Sequence, residues 1–534
     1  MRRPTILQGL GLTAASAVLV ALAFPPFGLQ VLAWIGLAPF FVAVRRVRFG
    51  VAQALSAVWL VLFAALVGLW FPQTISTYYH QPEILGLVFF AAVTATMGAP
   101  YYMAFSAAYR GLARHGGTVS PLLVAAAWVA AELARGRLFT GTPVFIGNPW
   151  GLLGYSQVGV RPLIQIASVT GVYGVSFVVA AVNATLAESW LALKSSTTRP
   201  ARRILVGLLP AAFALAYGFV TLRGAGNVDG GAPGTVVAVV QGNVDVGSTW
   251  HSELYGRNLE TYLRLTQTAI ERAHPRIIFW PEGVMTFFVE EEPSYRLAIG
   301  QILEAGRAEL VAGGPHAAPG TPPSYLNSIF LISTQGAIRA RYDKQYLVPF
   351  AEYFPLRSFE LLRRTFERVR VFSPGGPAVL LPTVAGLAGI VTCNEAMLPE
   401  VVGARVTAGA VYLVNPSNDS WTSHPQYSQQ QFDIVTLRAV EQRRYLVRAS
   451  TAGPSAIIDP WGRTQVATSP LSQGAIVGTI RPETRPSVYG RLGDLFAFAC
   501  LAFVTLALLR GRWGHRRNTV PAPDPPRGGR PVSG

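Results

Sequence analysis

A nucleophile that works at neutral pH needs a base beside it and a donor or cation to hold the charge it creates. Cysteine suits that task, and the chain has two, Cys393 and Cys500. Cys393 follows the apolar run Gly386–Thr392 and precedes Asn394 and Glu395. Cys500 lies in an apolar run near the C-terminus, which rules out a disulfide framework. A thiol left alone in this way is either an active nucleophile or a buried core cysteine. Trp280-Pro281-Glu282 closes another β-branched run. Proline ends the ladder and fixes the backbone before the carboxylate, so Glu282 reads as a base or as a solvated turn acid. Lys344 sits within Tyr342-Asp343-Lys344-Gln345-Tyr346-Leu347-Val348-Pro349-Phe350. On the surface it is an ordinary lysine; buried, it needs a carboxylate neighbour and can stabilise a thiolate or an oxyanion. The histidines are scattered, and neither they nor the cysteines have metal-ligand spacing. With no phosphate-binding loop either, no metal and no cofactor is expected.

The elements that must position these groups are short. Strands are expected near 236–242, 276–280, 309–313, 327–333, 386–392, 410–415, 445–450 and 455–459, and helices near 252–273, 294–308 and 425–443. Strands alternating with helices predict a layered α/β domain. Catalytic groups in such domains sit just past strand ends, which is where Glu282, Cys393 and Asn415 fall.

The rest of the chain has a different texture. Of 534 residues, 51% are hydrophobic and only 13% charged, against about 25% charged in soluble chains; mean hydropathy is +0.36. A spanning helix needs about 20 apolar residues. Candidates lie near 6–24, 28–44, 51–71, 84–105, 119–134, 163–184, 204–222 and 492–509, about eight in all. The first also has the form of a signal peptide, with Arg2 and Arg3 ahead of the apolar run. The net charge of +17 comes from basic residues between apolar runs, a membrane-topology pattern rather than a nucleic-acid-binding face. With the N-terminus inside, arginines and lysines collect in alternate loops; Arg135, Arg137 and Arg161 are the exception. The expected organisation is a seven-span membrane domain over 1–222, an extracytoplasmic α/β domain over 223–490, a final span over 491–510 and a disordered basic cytoplasmic tail over 511–534.

Glu282 in WPEG, Lys344 in YDKQYLVPFAEY and Cys393 in VTCNE together resemble the Glu-Lys-Cys triad of the nitrilase superfamily in order and separation. VVQGNV at 239–244 and NPSNDSW at 415–421 resemble it too. PPFG at 25–28, GNPWGLLGYSQ at 147–157, GVYGVSF at 171–177, FSPG at 372–375 and LPE at 398–400 narrow the resemblance to its membrane-embedded branch, the apolipoprotein N-acyltransferases, over roughly residues 5 to 510. The resemblance implies a four-layer αββα sandwich beside the membrane helices. It makes Glu352 the second active-site glutamate, with a structural ion pair as its other reading, and makes Trp250 and Glu395 site residues. Two departures stand out: Asn394 replaces an aromatic residue common after the nucleophile, and the usual NDAWFG reads NDSWTS.

The implied reaction takes an acyl chain from a membrane phospholipid through a Cys393 thioester to the N-terminal amine of a diacylated apolipoprotein. The Asn394 N–H and Lys344 hold the oxyanion. The implied location is the bacterial inner membrane, with the catalytic domain on the periplasmic side; the membrane is a partner and nucleic acid is not. The segment 356–370, apolar at helical spacing with arginines interleaved, reads as an interfacial helix or one packed on the domain. Phe287 and Phe288 read as acyl-pocket lining or core. The rival functions are a membrane-tethered nitrilase-type amidase, a lipid-binding or export protein with an inactive domain, and a transporter, for which Glu132 is the main intramembrane charge.

Overall fold

Every one of the eight apolar runs falls on helix. The computed structural model describes residues 5–113, 117–137, 148–193, 200–225, 234–244, 252–320, 324–354, 371–422 and 424–517. Trp250, the segment 356–370 and the end of the tail lie outside them. The helical region comprises α1 (Ile6–Ala21), α2 (Ala38–Arg46), α3 (Phe49–Val67), α4 (Trp70–Tyr79), α5 (Glu83–Met97), α6 (Ala99–Leu112), α7 (Pro121–Arg137), α8 (Ala167–Leu193) and α9 (Pro200–Ala225). Among the described residues, four helical stretches are long and apolar enough to cross a membrane, at 49–67, 83–112, 167–193 and 201–225; α1 and Leu495–Arg510 are shorter apolar helices.

Aromatic side chains fill the centre of this region. Trp59 packs against Phe40, Phe63, Tyr102 and Trp128 with ring centroids 5.2–5.4 Å away, and its indole donates to Ser16 Oγ at 3.0 Å. Buried acids serve backbone groups here. Glu132 accepts from the Leu153 N–H at 2.7 Å. Glu188, passed over in the sequence, accepts from the Val119 N–H at 2.9 Å and from the Tyr109 hydroxyl at 2.5 Å.

The α/β unit holds two six-stranded sheets. One has the order β12-β1-β2-β3-β4-β5, the other β11-β10-β9-β8-β7-β6. The strands are β1 (Thr235–Gln241), β2 (Ile277–Phe279), β3 (Glu309–Ala318), β4 (Ser324–Ile332), β5 (Ile338–Asp343), β6 (Leu381–Thr383), β7 (Gly386–Ile390), β8 (Tyr412–Ser417), β9 (Leu446–Ser450), β10 (Ala456–Ile458), β11 (Thr464–Ala467) and β12 (Gly474–Ile480). In each sheet a parallel trio, β1-β2-β3 or β7-β8-β9, is flanked by antiparallel strands. Val237, Phe279 and Ile329 of one sheet meet Ile390, Val414 and Val447 of the other in a shared core. Helices α10 (Ser252–Ala273) and α11 (Pro293–Gly306) cover one outer face; α12 (Pro399–Thr407) and α13 (Pro425–Gln442) cover the other. This is the expected helix–sheet–sheet–helix layering.

All eight expected strands are present and occupy the interior of the sheets. The four unforeseen ones, β5, β6, β11 and β12, are the four edges. Interior strands are covered on both faces and read as continuous apolar runs; β5 is charged, β6 and β11 are short and carry polar residues or proline, and β12 is apolar but interrupted by Gly478 and only partly buried. Asn415 lies inside β8, fully buried, rather than beyond its end.

Helix α13 joins the two regions. Its Ile434, Leu437 and Val440 belong to the same core as the membrane-region helices. Gln430 Nε2 donates to the Val67 carbonyl at 2.8 Å. Glu441 accepts from the Val172 N–H at 2.7 Å, where α8 breaks at Gly171 with φ 67°. A Cβ at Gly171 would lie 2.5 Å from the Tyr489 ring, so glycine is required there twice over, by backbone angle and by space. The last described helix is α14 (Leu495–Arg517).

Candidate active site

Glu282, Lys344 and Cys393 each follow the end of a strand. Strand β2 is buried throughout, and the chain turns after Trp280 and Pro281 to present Glu282. The turn lies so close to β3 that a Cβ on Gly313 would come within 2.6 Å of the Glu282 Cα. Lys344 follows β5, with its N–H on the Asn327 carbonyl at 2.9 Å. Cys393 follows β7 with φ 50°, a left-handed angle that a residue with a Cβ holds only when its surroundings impose it. Asn415 supplies part of that hold, donating from Nδ2 to the carbonyls of Val391 at 2.6 Å and Cys393 at 3.2 Å.

The charged groups meet in the interior. Lys344 is 1% exposed, Cys393 3%, Glu282 5% and Glu352 9%. Lys344 Nζ lies 3.0 Å from Glu282 Oε1 and 2.9 Å from Glu352 Oε2. Asn327 Nδ2 donates to both carboxylates at 2.7 Å. Glu282 Oε2 accepts from the Asn418 N–H at 2.9 Å, and Glu352 Oε2 from the Val348 N–H at 2.8 Å. Burial alone would pull the Lys344 ammonium down, but the Glu282 and Glu352 carboxylates outweigh it and hold the group well above the usual lysine range. Burial, reinforced by the Glu282 charge and opposed by Lys344, pushes the Cys393 thiol up to about 12. One ammonium against two carboxylates leaves the cluster at −1, and a thiolate would take it to −2. A proton that passes from Cys393 to Glu282 keeps the total unchanged, so the arrangement suits a thiol deprotonated as it attacks rather than a standing thiolate.

Glu395, completely buried, ties the Cys393 turn to the Lys344 loop. Its carboxylate accepts from the N–H groups of Thr392 at 2.8 Å, Gln345 at 2.9 Å and Tyr346 at 3.1 Å, and from the Tyr342 hydroxyl at 2.8 Å. It therefore touches the site through the backbone it holds. Asn394 places its side chain elsewhere: Oδ1 accepts from Gln431 Nε2 at 2.5 Å and from the Tyr427 hydroxyl at 3.3 Å. Asn394 is the second residue of the short turn Cys393–Met397, so no carbonyl of that turn can reach its N–H.

Glu282, Lys344, Cys393 and Asn418 line a pocket of about 70 Å³ walled by Tyr78 and Trp421. Next to it lies an apolar cavity of about 280 Å³ lined mainly by the helical region, including Phe63, Phe71, Phe89 and Phe90, with Asn394 and Phe350 from the α/β unit. Val348 and Trp421 line both spaces. Phe287 is not part of either; it packs on Tyr255 and Tyr295 in the core under α10 and α11. Phe288 lies against Tyr325. Asn327 and Tyr78 were missed in the sequence. Asn327 had one signal, a polar residue at the start of an otherwise apolar strand; Tyr78, in a loop-like stretch between two apolar runs, had none.

Residues 16–185 match the apolipoprotein N-acyltransferase N-terminal domain, and residues 236–488 match the carbon-nitrogen hydrolase family. The apolipoprotein N-acyltransferase of Geobacter metallireducens is 33% identical over 500 residues, covering 91% of this chain and 92% of that protein. The chain belongs to the apolipoprotein N-acyltransferase family. Members from Gloeobacter violaceus, at 28% identity over 92% of both chains, and Methylococcus capsulatus, at 29% over 94% of this chain and 96% of that one, match it at similar length. Among solved structures, a Saccharomyces cerevisiae member of branch 10 of the nitrilase superfamily matches 48% of this chain and 93% of its own, at 18% identity and a TM-score of 0.37. The two matched family regions cover, in this chain, the helices that line the apolar cavity and the two-sheet unit that carries Cys393.

Proposed function

We propose that this protein transfers a fatty acyl chain from a membrane phospholipid to the N-terminal amine of the diacylglyceryl-cysteine of an apolipoprotein, by a ping-pong route through Cys393. Glu282 takes the Cys393 proton as sulfur attacks the ester carbonyl. Lys344 and the Asn394 N–H hold the oxyanion. The intermediate collapses, the lysophospholipid oxygen leaves with the proton from Glu282, and a thioester remains. The lipoprotein amine then attacks the thioester and Glu282 accepts its proton. Collapse forms the amide, and the Cys393 sulfur departs and regains a proton. Glu352 holds Lys344 in place, and Glu395 holds the two catalytic turns together. All eight apolar runs span the inner membrane of a bacterium in this reading. Seven lie within residues 1–222 and the eighth within 491–510, so that residues 223–490 face the periplasm.

The observation that carries the reading is the shared wall: Val348 and Trp421 separate the cysteine pocket from an apolar cavity built largely by the helical region. A tethered amidase acting on small amides has no use for such a cavity. The test is incubation of the full-length protein in phospholipid micelles carrying a labelled acyl chain, followed by denaturing electrophoresis without thiol reductant. Label on the wild type, absent from Cys393→Ala and released by neutral hydroxylamine, is the expected result, and a diacylated lipopeptide should then take the label onto its amine. Absence of both label and lysophospholipid would return the reading to the amidase.

A further inference from the structure

Helix α4 belongs to the helical region yet ends at the catalytic pocket, where Tyr78 forms part of the wall. The next residue, Tyr79, donates its hydroxyl to the Phe350 carbonyl at 2.6 Å. Phe350 has φ 64°, a left-handed angle that a bulky residue keeps only under constraint. Its N–H is also engaged, on the Tyr353 carbonyl at 2.7 Å. Its ring lies edge-on to Phe89 of α5 at 5.0 Å and to Phe354 at 5.6 Å. Ile75, Tyr79 and Phe354 form a small core of their own, with Phe71, Tyr78 and Phe350 packed against it.

The turn held in this way is the one that carries Glu352. The Glu352 N–H bonds to the Val348 carbonyl at 2.9 Å, and its carboxylate returns to the Val348 N–H and to Lys344. Phe350 meanwhile lines the apolar cavity, as do Val348 and Pro349. One loop therefore touches the space for an acyl chain on one side and sets the partner of the catalytic lysine on the other.

We propose that Tyr79 is a positioning residue and that the loop Val348–Phe354, clamped between α4 and α5, reports filling of the apolar cavity to the Lys344–Glu352 pair. A long-chain acyl ester packs against Phe350, completes the clamp and fixes Glu352 on Lys344. An ester too short to reach the cavity leaves the loop unset. This rests on the acyl-transfer reading above and adds to it a preference for long chains expressed in the chemical step.

The test compares wild type, Tyr79→Phe and Phe354→Leu, all full-length in detergent micelles. Acylation of Cys393 is followed with a long-chain labelled phospholipid and with a short-chain, water-soluble phenyl ester. Phe354→Leu removes the ring that meets Phe350 at 5.6 Å and leaves the lining of both spaces intact, so it serves if Tyr79→Phe folds poorly. In both variants the kcat for the phospholipid should fall about tenfold with KM within about twofold, while the short ester reacts as in wild type. Equal losses with both esters would overturn the proposal and leave Tyr79 a structural residue, as would no loss with either, or a rise in KM alone. A wild type that reacts with the short ester and never with the phospholipid would instead remove the acyl-transfer reading itself.

Discussion

A thiol at Cys393 is held in its protonated form by its surroundings, and two neighbours pull on it in opposite directions. Glu282 raises its proton affinity and Lys344 lowers it. Substitutions at these two residues therefore separate thiol reactivity from catalysis. Glu282→Gln removes the negative charge, so the thiol pKa drops and alkylation of Cys393 by iodoacetamide at pH 8 should speed up by about tenfold. Acyl transfer should fall by about 10²–10⁴, because the proposed base is gone. Lys344→Met should slow alkylation and acyl transfer together, since it removes the cation that favours the thiolate. Alkylation followed by mass spectrometry across pH 6–10, beside acyl-enzyme formation, checks both signs. Faster alkylation and intact transfer in Glu282→Gln would exclude Glu282 as the base. The residue types needed for this chemistry were legible at 282, 344 and 393. Their common burial was not, because the Lys344–Glu282 contact joins positions 62 residues apart.

At the scale of elements, α13 has two duties: it closes the outer face of the β11-to-β6 sheet and it packs on the membrane-region helices. Its apolar residues serve both, which leaves its polar residues in unusual places. Asp433 lines a cavity between α13 and the Pro25–Gln30 segment. Burial pushes its carboxyl up to about 7, against a hydrogen bond from Gln429. The folded-state value lies above the unfolded one, near 4. The stability it contributes is therefore present at pH 4 and lost as pH rises through 7. Asp433→Asn carries no charge to bury, and its unfolding temperature in detergent should exceed that of wild type by a few degrees at pH 8 and match it near pH 4. The reverse order would mean that the charged form is the one the fold stabilises. The sequence placed α13 within a residue of its ends and gave no hint of its second duty, because much of its second buried face is polar: Gln426, Gln430 and Arg438 reach the helical region through hydrogen bonds and read in sequence as solvated residues.

For the whole molecule, the question is what keeps the cysteine pocket against the apolar cavity. Part of the answer is a buried ion pair at the junction. Arg438 NH1 donates to Glu441 Oε2 at 2.5 Å and Arg438 NH2 to the Tyr155 hydroxyl at 2.5 Å, with both charged side chains at 0% exposure. The other oxygen of Glu441 caps the Val172 N–H at the break in α8. Breaking such a pair from one side strands a charge in the interior, at a cost of about 3–5 kcal/mol. Glu441→Ala should therefore lower the thermal stability of the detergent-solubilised protein sharply and reduce long-chain acyl transfer with it. Glu441→Leu combined with Arg438→Met should recover most of the stability, since replacing both charges by apolar groups of similar size removes the stranded charge. A double variant as unstable as the single one would place the cost in the lost Val172 cap instead.

The sequence by itself determined which residues can do the chemistry, the eight interior strands, three covering helices and the eight apolar runs. It could do so because each is a local property: side-chain type, β-branched runs buried on both faces, and helical or continuous apolar patterning. Only the tertiary structure decided the rest. Three edge strands are short or charged and carry no such pattern, and the fourth, β12, is an apolar run interrupted by Gly478. Asn327 becomes a shared donor to two carboxylates only when β4 pairs with β5, and Tyr79 reaches Phe350 across 271 residues. The wall common to the cysteine pocket and the apolar cavity exists because two separately folded textures pack on one helix, and no stretch of either encodes that contact alone.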